Sequence, residues 1–364
     1  MTWIWQKKHW PDFVFDSLKI KILEDEFIHN AGMITGLLES LDSESIENIK
    51  IDLLGDEAFK TSEIEGELLN RDSVKLSIRK NILKTSDIDV NMRENNIASV
   101  IIDAHNSFAA PVSHESLCKW YEILVHNRTD LLDFTGYRKH KEAMQIISGM
   151  NHRPNVHYEA PPSENVLNEM EKFIYWFNNG SRNLTPLTKS AISHLYFVLI
   201  HPFEDCNGRI SRILAEKALT QYLKRPTIIS ISSTIQKNRK MYYDVLERSN
   251  KNLDITEWLE YFAGIIIESQ NDAKNIVRFT IQKTKFYDRY KDIMNERQQK
   301  VIASILKRSS FEFIGGLSAE NYISIAKTSR ATATRDLQDM VAKGILIKTG
   351  ELRYARYQLN SNIS

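Results

Sequence analysis

A segment of twelve residues, His201 to Arg212, combines residue types that could bind a phosphate and move a proton. Its sequence is HPFEDCNGRISR. His201 is the one side chain in the segment that exchanges a proton near neutral pH. Asp205 is a hard oxygen ligand of the kind that Mg²⁺ combines with phosphates. Arg209 and Arg212 are three residues apart, so on a helix they would be neighbours able to contact the same anion.

Two predicted helices must hold this segment in place. Residues 190–200 form an apolar run typical of a helix. Pro202 should end that helix, because proline lacks an N–H group and disfavours helix at the preceding residue. A second helical pattern begins at about Gly208, so the loop from Glu204 to Asn207 leads into a helix N-terminus, which favours a phosphate. A simpler alternative is a loop whose polar residues only cap helices.

The segment resembles the signature of the Fic family, H-P-F-x-[D/E]-G-N-G-R-x-x-R, at every position except Cys206. Family members of this kind transfer AMP from ATP to a hydroxyl side chain of a target protein. The resemblance implies a role for each matching residue: His201 as general base, Phe203 as packing anchor, Asp205 as Mg²⁺ ligand, Asn207 and Gly208 in the phosphate-binding loop, and Arg209 and Arg212 on the β- and γ-phosphates of ATP.

Cys206 departs from the family pattern, which has glycine there. Its side chain brings a β-carbon into a turn that we expect to need a positive φ. The thiol would also lie at a helix N-terminus between two arginines, which predicts a lowered pKa and sensitivity to oxidation.

A second informative segment, residues 61–67, reads TSEIEGE and allows two interpretations. Ser62 and Glu65 have the spacing of a capping box at a helix start, although Gly66 would then lie inside the helix. Thr61, Glu65 and Gly66 also match the inhibitory motif [S/T]-x-x-x-E-[G/N] of the Fic family. That resemblance implies that Glu65 enters the nucleotide site, pairs with Arg212 and makes ATP bind unproductively.

The predicted fold is mainly α: a Fic-type helical core with a β-hairpin flap, followed by a C-terminal winged helix-turn-helix domain. We expect a helical extension with the inhibitory motif at residues 1–90, a Fic catalytic domain at 91–265, a helical linker at 266–294 and a winged-helix domain at 295–364. Trp3, Trp5 and Trp10 should pack as core aromatics.

Helical periodicity is lost between Gly136 and Pro162, which predicts a β-hairpin or extended flap. Its position resembles the Fic flap, whose edge takes up the target segment as an added strand, so residues 143–160 are the expected target-binding region. An ordinary surface loop is the alternative. His140, His152 and His157 fit no standard zinc spacing, and we assign them no metal.

Residues 235–246 are expected to form a helix that carries Tyr242 and Tyr243, with Asn250 beyond it. By motif position these three residues resemble the adenosine side of the family's pocket. Tyrosines at such a spacing are equally typical of a core.

Residues 295–360 have the pattern of a separate module. Helices are predicted at 297–306, 318–326 and 328–343, with Gly344 as a stop, followed by short strands at 345–347 and 354–359. Residues 296–360 contain 11 Lys and Arg against 6 Asp and Glu. DNA binding through residues 328–343 and protein docking or dimerisation are both compatible with this pattern.

Composition is ordinary for a globular protein, with 42% hydrophobic and 26% charged residues and a net charge of +1. Two cysteines and no long apolar run favour a cytoplasmic protein without membrane contact. The resulting hypothesis is an autoinhibited adenylyltransferase that uses ATP and Mg²⁺ and modifies Ser, Thr or Tyr. The alternatives are a DNA-binding regulator with a nucleotide sensor and an enzyme that removes AMP. A homo-oligomer that masks the flap is a further expectation.

Overall fold

The computed structural model describes residues 2–84, 90–126, 128–150, 153–306, 316–351 and 354–360. The fold is mostly helical with two small antiparallel sheets, which confirms the predicted class. The chain divides into two compact units: Met1–Met33 with Glu47–Ala273, and Ile34–Ile46 with Lys274–Ser364. None of the helices in the described part is both long and apolar enough to cross a membrane.

The elements follow one another along the chain in this order: α1 (Ser17–Glu39), α2 (Ser43–Ile64), α3 (Arg71–Leu83), α4 (Met92–Asn106), α5 (His114–Leu124), β1 (Gln145–Met150), β2 (Arg153–Glu159), α6 (Ser163–Tyr175), α7 (Pro186–Ile200), α8 (Asn207–Leu223), α9 (Ile231–Lys237), α10 (Arg239–Arg248), α11 (Thr256–Tyr290), α12 (Glu296–Ile305), α13 (Ala319–Ala326), α14 (Arg330–Ala342), β3 (Leu346–Thr349) and β4 (Arg356–Leu359). The prediction of a single helix at 235–246 is wrong. This region contains parts of two helices, α9 and α10, that meet at Asn238.

Helix α7 is the centre of the first unit. Nearly all of its residues are buried, which explains why its apolar residues do not follow one face. Its N-terminus has Pro186 at the first position and is capped from α1, since Glu24 accepts hydrogen bonds from the backbone N–H groups of Leu187 and Thr188. The helix ends at His201, whose φ of 51° is left-handed. This fixed helix carries the candidate base at its end.

The N-terminal tryptophans pack within the first unit, where Trp3 is buried as predicted and Trp5 and Trp10 are only partly buried. The rings of Trp3 and Tyr158 meet edge to face at 5.5 Å, and those of Trp10 and Tyr196 at 5.3 Å. The indole N–H of Trp5 donates to the backbone oxygen of Glu159, 2.7 Å away. Two of these contacts are made to strand β2, so the aromatic residues support the hairpin from one side.

The predicted hairpin is present. Strands β1 and β2 pair antiparallel from Gln145 opposite Glu159 to Met150 opposite Arg153, with an irregularity between Ile146 and Ile147. Among the described residues, each strand has only the other as a neighbour in the sheet. His152, one of the three clustered histidines, lies outside the described residues.

The second unit contains the elements that the sequence predicted in the same order. Helices α12, α13 and α14 are followed by the antiparallel pair β3–β4, with Leu346 opposite Leu359, and Leu317 forms a bridge with Tyr357. Gly344, at a φ of 71°, follows the end of α14. The core side chains come from all of these elements: Val301, Ile302, Leu317, Tyr322, Leu337, Met340, Ile345 and Leu359. Helix α11 is continuous from Thr256 to Tyr290, across the boundary expected at residue 266.

Candidate active site

The loop between α7 and α8 is held by its own side chains. Asn207 accepts from the backbone N–H of Phe203 (3.1 Å) and donates to the Phe203 carbonyl (2.8 Å), which closes the turn. The Phe203 ring is fully buried and stacks on Tyr121 at 4.3 Å. Glu204 accepts from the N–H groups of Leu132 and Asp133, so the preceding loop is fixed to the same turn. The turn therefore presents the first N–H groups of α8 from a rigid frame.

His201 is set up as a neutral acceptor. Its Nδ1 lies 3.1 Å from the carbonyl of Val198. A proton on Nδ1 satisfies that contact and leaves the lone pair on Nε2. Burial is the largest cause that lowers the pKa of His201, to about 4. The imidazole is therefore uncharged at neutral pH and can take up a proton.

Arg138 fixes the backbone of His201, and sequence reasoning did not identify it. It is 1% exposed, donates from Nε to the His201 carbonyl (2.8 Å) and from Nη2 to the Pro161 carbonyl (2.5 Å). Burial lowers the pKa of Arg138 to about 10, so it stays charged at neutral pH. Nothing in the local sequence signals this role, because the contacts span 63 and 23 residues.

Asp205 lies beside the turn with both carboxylate oxygens engaged. One oxygen accepts from the N–H of Cys206 (2.5 Å), and the other lies 3.0 Å from Nη1 of Arg128, which also pairs with Asp130. The described residues contain no group of three or more metal-ligating side chains. A single, partly exposed carboxylate beside the N-terminus of α8 still fits Mg²⁺, which takes few protein ligands and fills its sphere with water and phosphate oxygens.

Arg212 is fully buried and is already bound to segment 61–67. Its Nε donates to the hydroxyl of Thr61 (2.8 Å), and its Nη2 donates to the Thr61 carbonyl (3.1 Å) and to Glu65 Oε1 (2.7 Å). Burial, the largest single cause, acts to lower the pKa of Arg212, but Glu65 together with Tyr242 and Tyr243 raises that pKa above its usual value. The structure thus brings together the two residues that the motif resemblance paired.

Arg209 is held in the same manner by a different glutamate. Its Nη1 lies 2.7 Å from Glu67 Oε2, and its Nη2 lies 3.1 Å from the sulfur of Cys206. Two buried N–H donors, Nε of Arg209 and Nη1 of Arg212, have no hydrogen-bond partner among the described residues. Buried cationic donors left in this state are typical of a site that accepts an anion.

The capping-box interpretation of Ser62 and Glu65 is wrong. Ser62 is buried in the last turn of α2, which ends at Ile64. Gly66 has a φ of 84° and lies just beyond the helix, where a left-handed residue commonly ends it. The glycine that was awkward inside a helix is therefore required after one, because a side chain at this φ is strained.

Cys206 adopts the positive φ that the sequence predicted, 66°, at the N-cap of α8. The predicted fall in its pKa is wrong. Cys206 is 2% exposed, and burial raises its pKa to about 12, more than the Arg209 charge lowers it. The sequence indicated the helix terminus and the arginines, but only the fold reveals how completely water is excluded.

The three residues expected on the adenosine side differ in placement. Tyr242 packs in the core, 1% exposed, with its hydroxyl 2.9 Å from Nε2 of His194. Tyr243 is 38% exposed and lies under the guanidinium of Arg239. Asn250 is buried and donates to the carbonyl of His157 (3.0 Å). Of these three, only Tyr243 presents surface to a ligand.

Residues 111–219, which contain this site, match the model of the Fic/DOC family. The chain carries a Fic domain. Residues 3–92, upstream of the Fic domain, match a model described as "Domain of unknown function (DUF4172)".

Curated relatives of the Fic domain include the protein adenylyltransferase Fic of Drosophila virilis, 31% identical over 172 residues. That match covers 44% of this chain and 33% of the relative. The protein of the same name from Drosophila sechellia is 27% identical over 272 residues, 69% of this chain and 52% of the relative. The chain therefore spans about a third to a half of the length of these relatives.

Two solved structures have the same fold. A Fic family protein from Desulfovibrio desulfuricans G20 aligns over 96% of this chain and 98% of its own, with a TM-score of 0.53 and 18% identity. A Fic domain containing signaling protein from Bacteroides thetaiotaomicron VPI-5482 aligns over 71% and 97%, with a TM-score of 0.52 and 18% identity. These similarities extend the fold assignment beyond the Fic domain itself.

Proposed function

We propose that this protein is an autoinhibited adenylyltransferase, which transfers AMP from ATP to a Ser, Thr or Tyr hydroxyl of a target protein. The observation that carries the proposal is a neutral His201 at the end of α7, followed after a short turn by α8, which carries two buried arginines near its N-terminus. A nucleophile needs a base of this kind, and a polyphosphate leaving group needs these cations. The names of the curated relatives agree with it.

In the proposed reaction, Nε2 of His201 takes the proton of the target hydroxyl while the oxygen attacks the α-phosphorus of ATP in line. The first N–H groups of α8 hold the phosphate oxygens, and Arg209 and Arg212 stabilise the charge on the departing pyrophosphate. Asp205 would hold Mg²⁺, which supplies neutralisation of phosphate charge when bound. Arg138 keeps the His201 carbonyl, and with it the imidazole, in position.

We propose that segment 61–67 keeps the protein inactive. Glu65 occupies the Nη2 donor of Arg212 that a γ-phosphate would use. Productive ATP binding therefore requires segment 61–67 to move away from α8. Retention of Glu65 also makes AMP removal a second candidate activity, because a carboxylate in this place could orient a water molecule toward the α-phosphorus.

Mass spectrometry of lysate proteins tests the proposal directly. The Glu65→Gly form, incubated with lysate, ATP and Mg²⁺, should add a mass of AMP to hydroxyl side chains. The His201→Ala form made on the same background should add none. Absence of modified residues with the Glu65→Gly form, in lysates from several sources, would contradict the assignment. A loss of AMP from a purified modified target would instead favour removal.

The target is proposed to dock on the flap, residues 143–160. No other strand of the part of the chain that the structure describes pairs with the outer edge of β1, and Ile147 of this strand is 54% exposed. An extended segment of the target could add to this edge as a third strand, which would bring its hydroxyl toward His201. A homo-oligomer that covers the same edge would compete with the target, and dilution would then raise activity.

DNA binding by the C-terminal unit is the candidate function from another class. Helix α14 exposes Arg330, Thr334 and Arg335, and Arg330 pairs with Glu320 of α13 at 3.1 Å. Asp336 and Asp339 on α14 are paired with Arg297 and Lys343. The exposed face is therefore polar and carries the positive charge of Arg335. Duplex DNA binding by the full chain should weaken as salt rises and in the Arg330→Gln/Arg335→Gln form. The Lys224→Gln/Lys240→Gln form removes equal charge elsewhere and should bind as the wild type does.

A further inference from the structure

The end of helix α2 explains why two glutamates reach α8. The N–H of Glu67 bonds the carbonyl of Ser62 (3.0 Å), and the N–H of Gly66 bonds that of Glu63 (3.0 Å). With Gly66 left-handed, this is the Schellman arrangement of a helix C-terminus. The residue after the glycine in such an ending is commonly apolar and packs back on the helix. Here it is Glu67, and its carboxylate goes to Arg209 instead.

The contacts made by Glu65 and Glu67 are closely matched. Each carboxylate lies 2.7 Å from a guanidinium nitrogen, and the side chains of Glu65 and Glu67 are 27% and 29% exposed. The arginine side chains are almost completely buried, at 0% for Arg212 and 7% for Arg209. Because water screens a buried guanidinium less than an exposed one, each carboxylate attracts its arginine more strongly than in a fully exposed pair. One short turn of chain therefore neutralises both cations of the candidate phosphate site.

We propose that Glu67 is a second inhibitory residue, which holds Arg209 away from the β-phosphate of a nucleoside di- or triphosphate. This inference rests on the proposed function, since it concerns the same nucleotide site. Glu65 withholds Arg212 and Glu67 withholds Arg209, so removing one carboxylate leaves the other cation engaged. Arg209 is assigned to the β-phosphate and Arg212 to the γ-phosphate. The effect of Glu67 by itself should therefore be seen in the binding of a nucleoside diphosphate, which has no γ-phosphate.

Nucleotide binding, measured by calorimetry on the full chain, separates this role from a structural one. The probes are AMP, ADP and a non-hydrolysable ATP analogue. Glu67→Gln keeps the size of the side chain and removes its charge, so ADP affinity should rise by about fivefold or more, the lower end of typical coupling between two ligands. AMP affinity should not change, because AMP lacks the β-phosphate. The Glu65→Gln/Glu67→Gln form should bind the ATP analogue more tightly than either single variant.

Glu63→Gln is the matched control. Glu63 belongs to the same segment and also forms an ion pair, but with Lys60 at 2.5 Å rather than with α8. Its replacement should leave ADP affinity unchanged. Suppose that Glu65→Gln raises the affinity for the ATP analogue, whereas Glu67→Gln leaves the affinity for ADP unchanged or lowers it. This result would overturn the inhibitory role of Glu67 and leave that of Glu65 standing. Failure of the double variant to bind any of the three nucleotides would overturn the proposed function as well.

Discussion

The carboxylate of Glu65 lies directly against Gly208, so that a β-carbon at Gly208 would overlap Glu65 Oε1 and come within 3.1 Å of Arg212 Nη1. The contact joins the end of α2 to the first turn of α8 across 143 residues of sequence. Gly208 is therefore required by the inhibited arrangement itself, because only a glycine leaves space for the glutamate beside Arg212.

Replacing Gly208 with alanine should test this packing. In the wild-type background, the added methyl group of Gly208→Ala should push the end of the Glu65 side chain away from Arg212 and lower the free energy of unfolding by about 1 kcal/mol, the lower end of the usual cost of overpacking. In the Glu65→Gly background the overlapping atoms are gone, so the loss should be much smaller. Urea unfolding of the four forms gives the coupling energy. An equal loss in both backgrounds would mean that Glu65 does not occupy this space.

The pH dependence of AMP transfer should reflect the lowered pKa of His201. Because burial moves that pKa from 6.5 to about 4, the imidazole stays neutral as the pH falls from 8 to 5. Activity of the Glu65→Gly form should therefore be nearly constant over this range and fall only as the pH approaches 4. Initial rates at saturating ATP would measure this. A loss of activity centred near pH 6.5 would show that His201 is solvated.

Glu216 should destabilise the protein at neutral pH. Burial, with the nearby charge of Glu57, raises the pKa of Glu216 from 4.5 to about 8. As the pH rises from 4.5 to 8, the unfolded chain releases this proton while the folded chain keeps it, so folding stability decreases. Glu216→Gln removes the effect and should raise the unfolding free energy at pH 7.5 by up to about 4 kcal/mol, which corresponds to three pH units above the unfolded pKa.

The gain from Glu216→Gln should shrink to about 0.4 kcal/mol at pH 4.5, where the folded protein holds the proton and the unfolded chain holds it half of the time. Chemical unfolding at the two pH values measures the difference. Glu122→Gln, at an exposed glutamate on α5, is the control and should show no such dependence on pH. The same gain at both pH values would assign the effect to packing rather than to the charge.

Cys206 should be unreactive in the folded protein. Its burial and raised pKa leave almost no thiolate at pH 8. Iodoacetamide should therefore label Cys206 only after denaturation, as followed by peptide mass spectrometry. The half-buried Cys118 is the internal comparison. Rapid labelling of Cys206 in the native state would show that the turn opens readily.

Much of this site could be predicted from sequence because its signals are local. Pro202 marks the end of α7, and Gly208 marks the start of α8. The motif positions indicate that Glu65 should contact Arg212. The contacts that sequence reasoning missed are long-range: Arg138 on the His201 carbonyl, Arg128 on Asp205, and Glu67 on Arg209. No periodicity or spacing encodes these pairs, since they arise where loops that are distant in the sequence meet beside α8.

Ser62 shows a second limit of prediction from the sequence. Its spacing to Glu65 fits a capping box at a helix start, yet the same residues lie at a helix end, and only the position of Gly66 separates the two cases. Cys206 shows that a helix N-terminus and adjacent arginines do not determine a pKa when burial opposes them.

Transfer of label from α-labelled ATP tests most directly whether segment 61–67 inhibits AMP transfer by binding Arg212. Wild-type protein should label itself or a supplied target weakly, Glu65→Gly should label much more strongly, and His201→Ala on that background should not label at all. Equal labelling by the wild type and Glu65→Gly, or undiminished labelling without His201, would contradict the account.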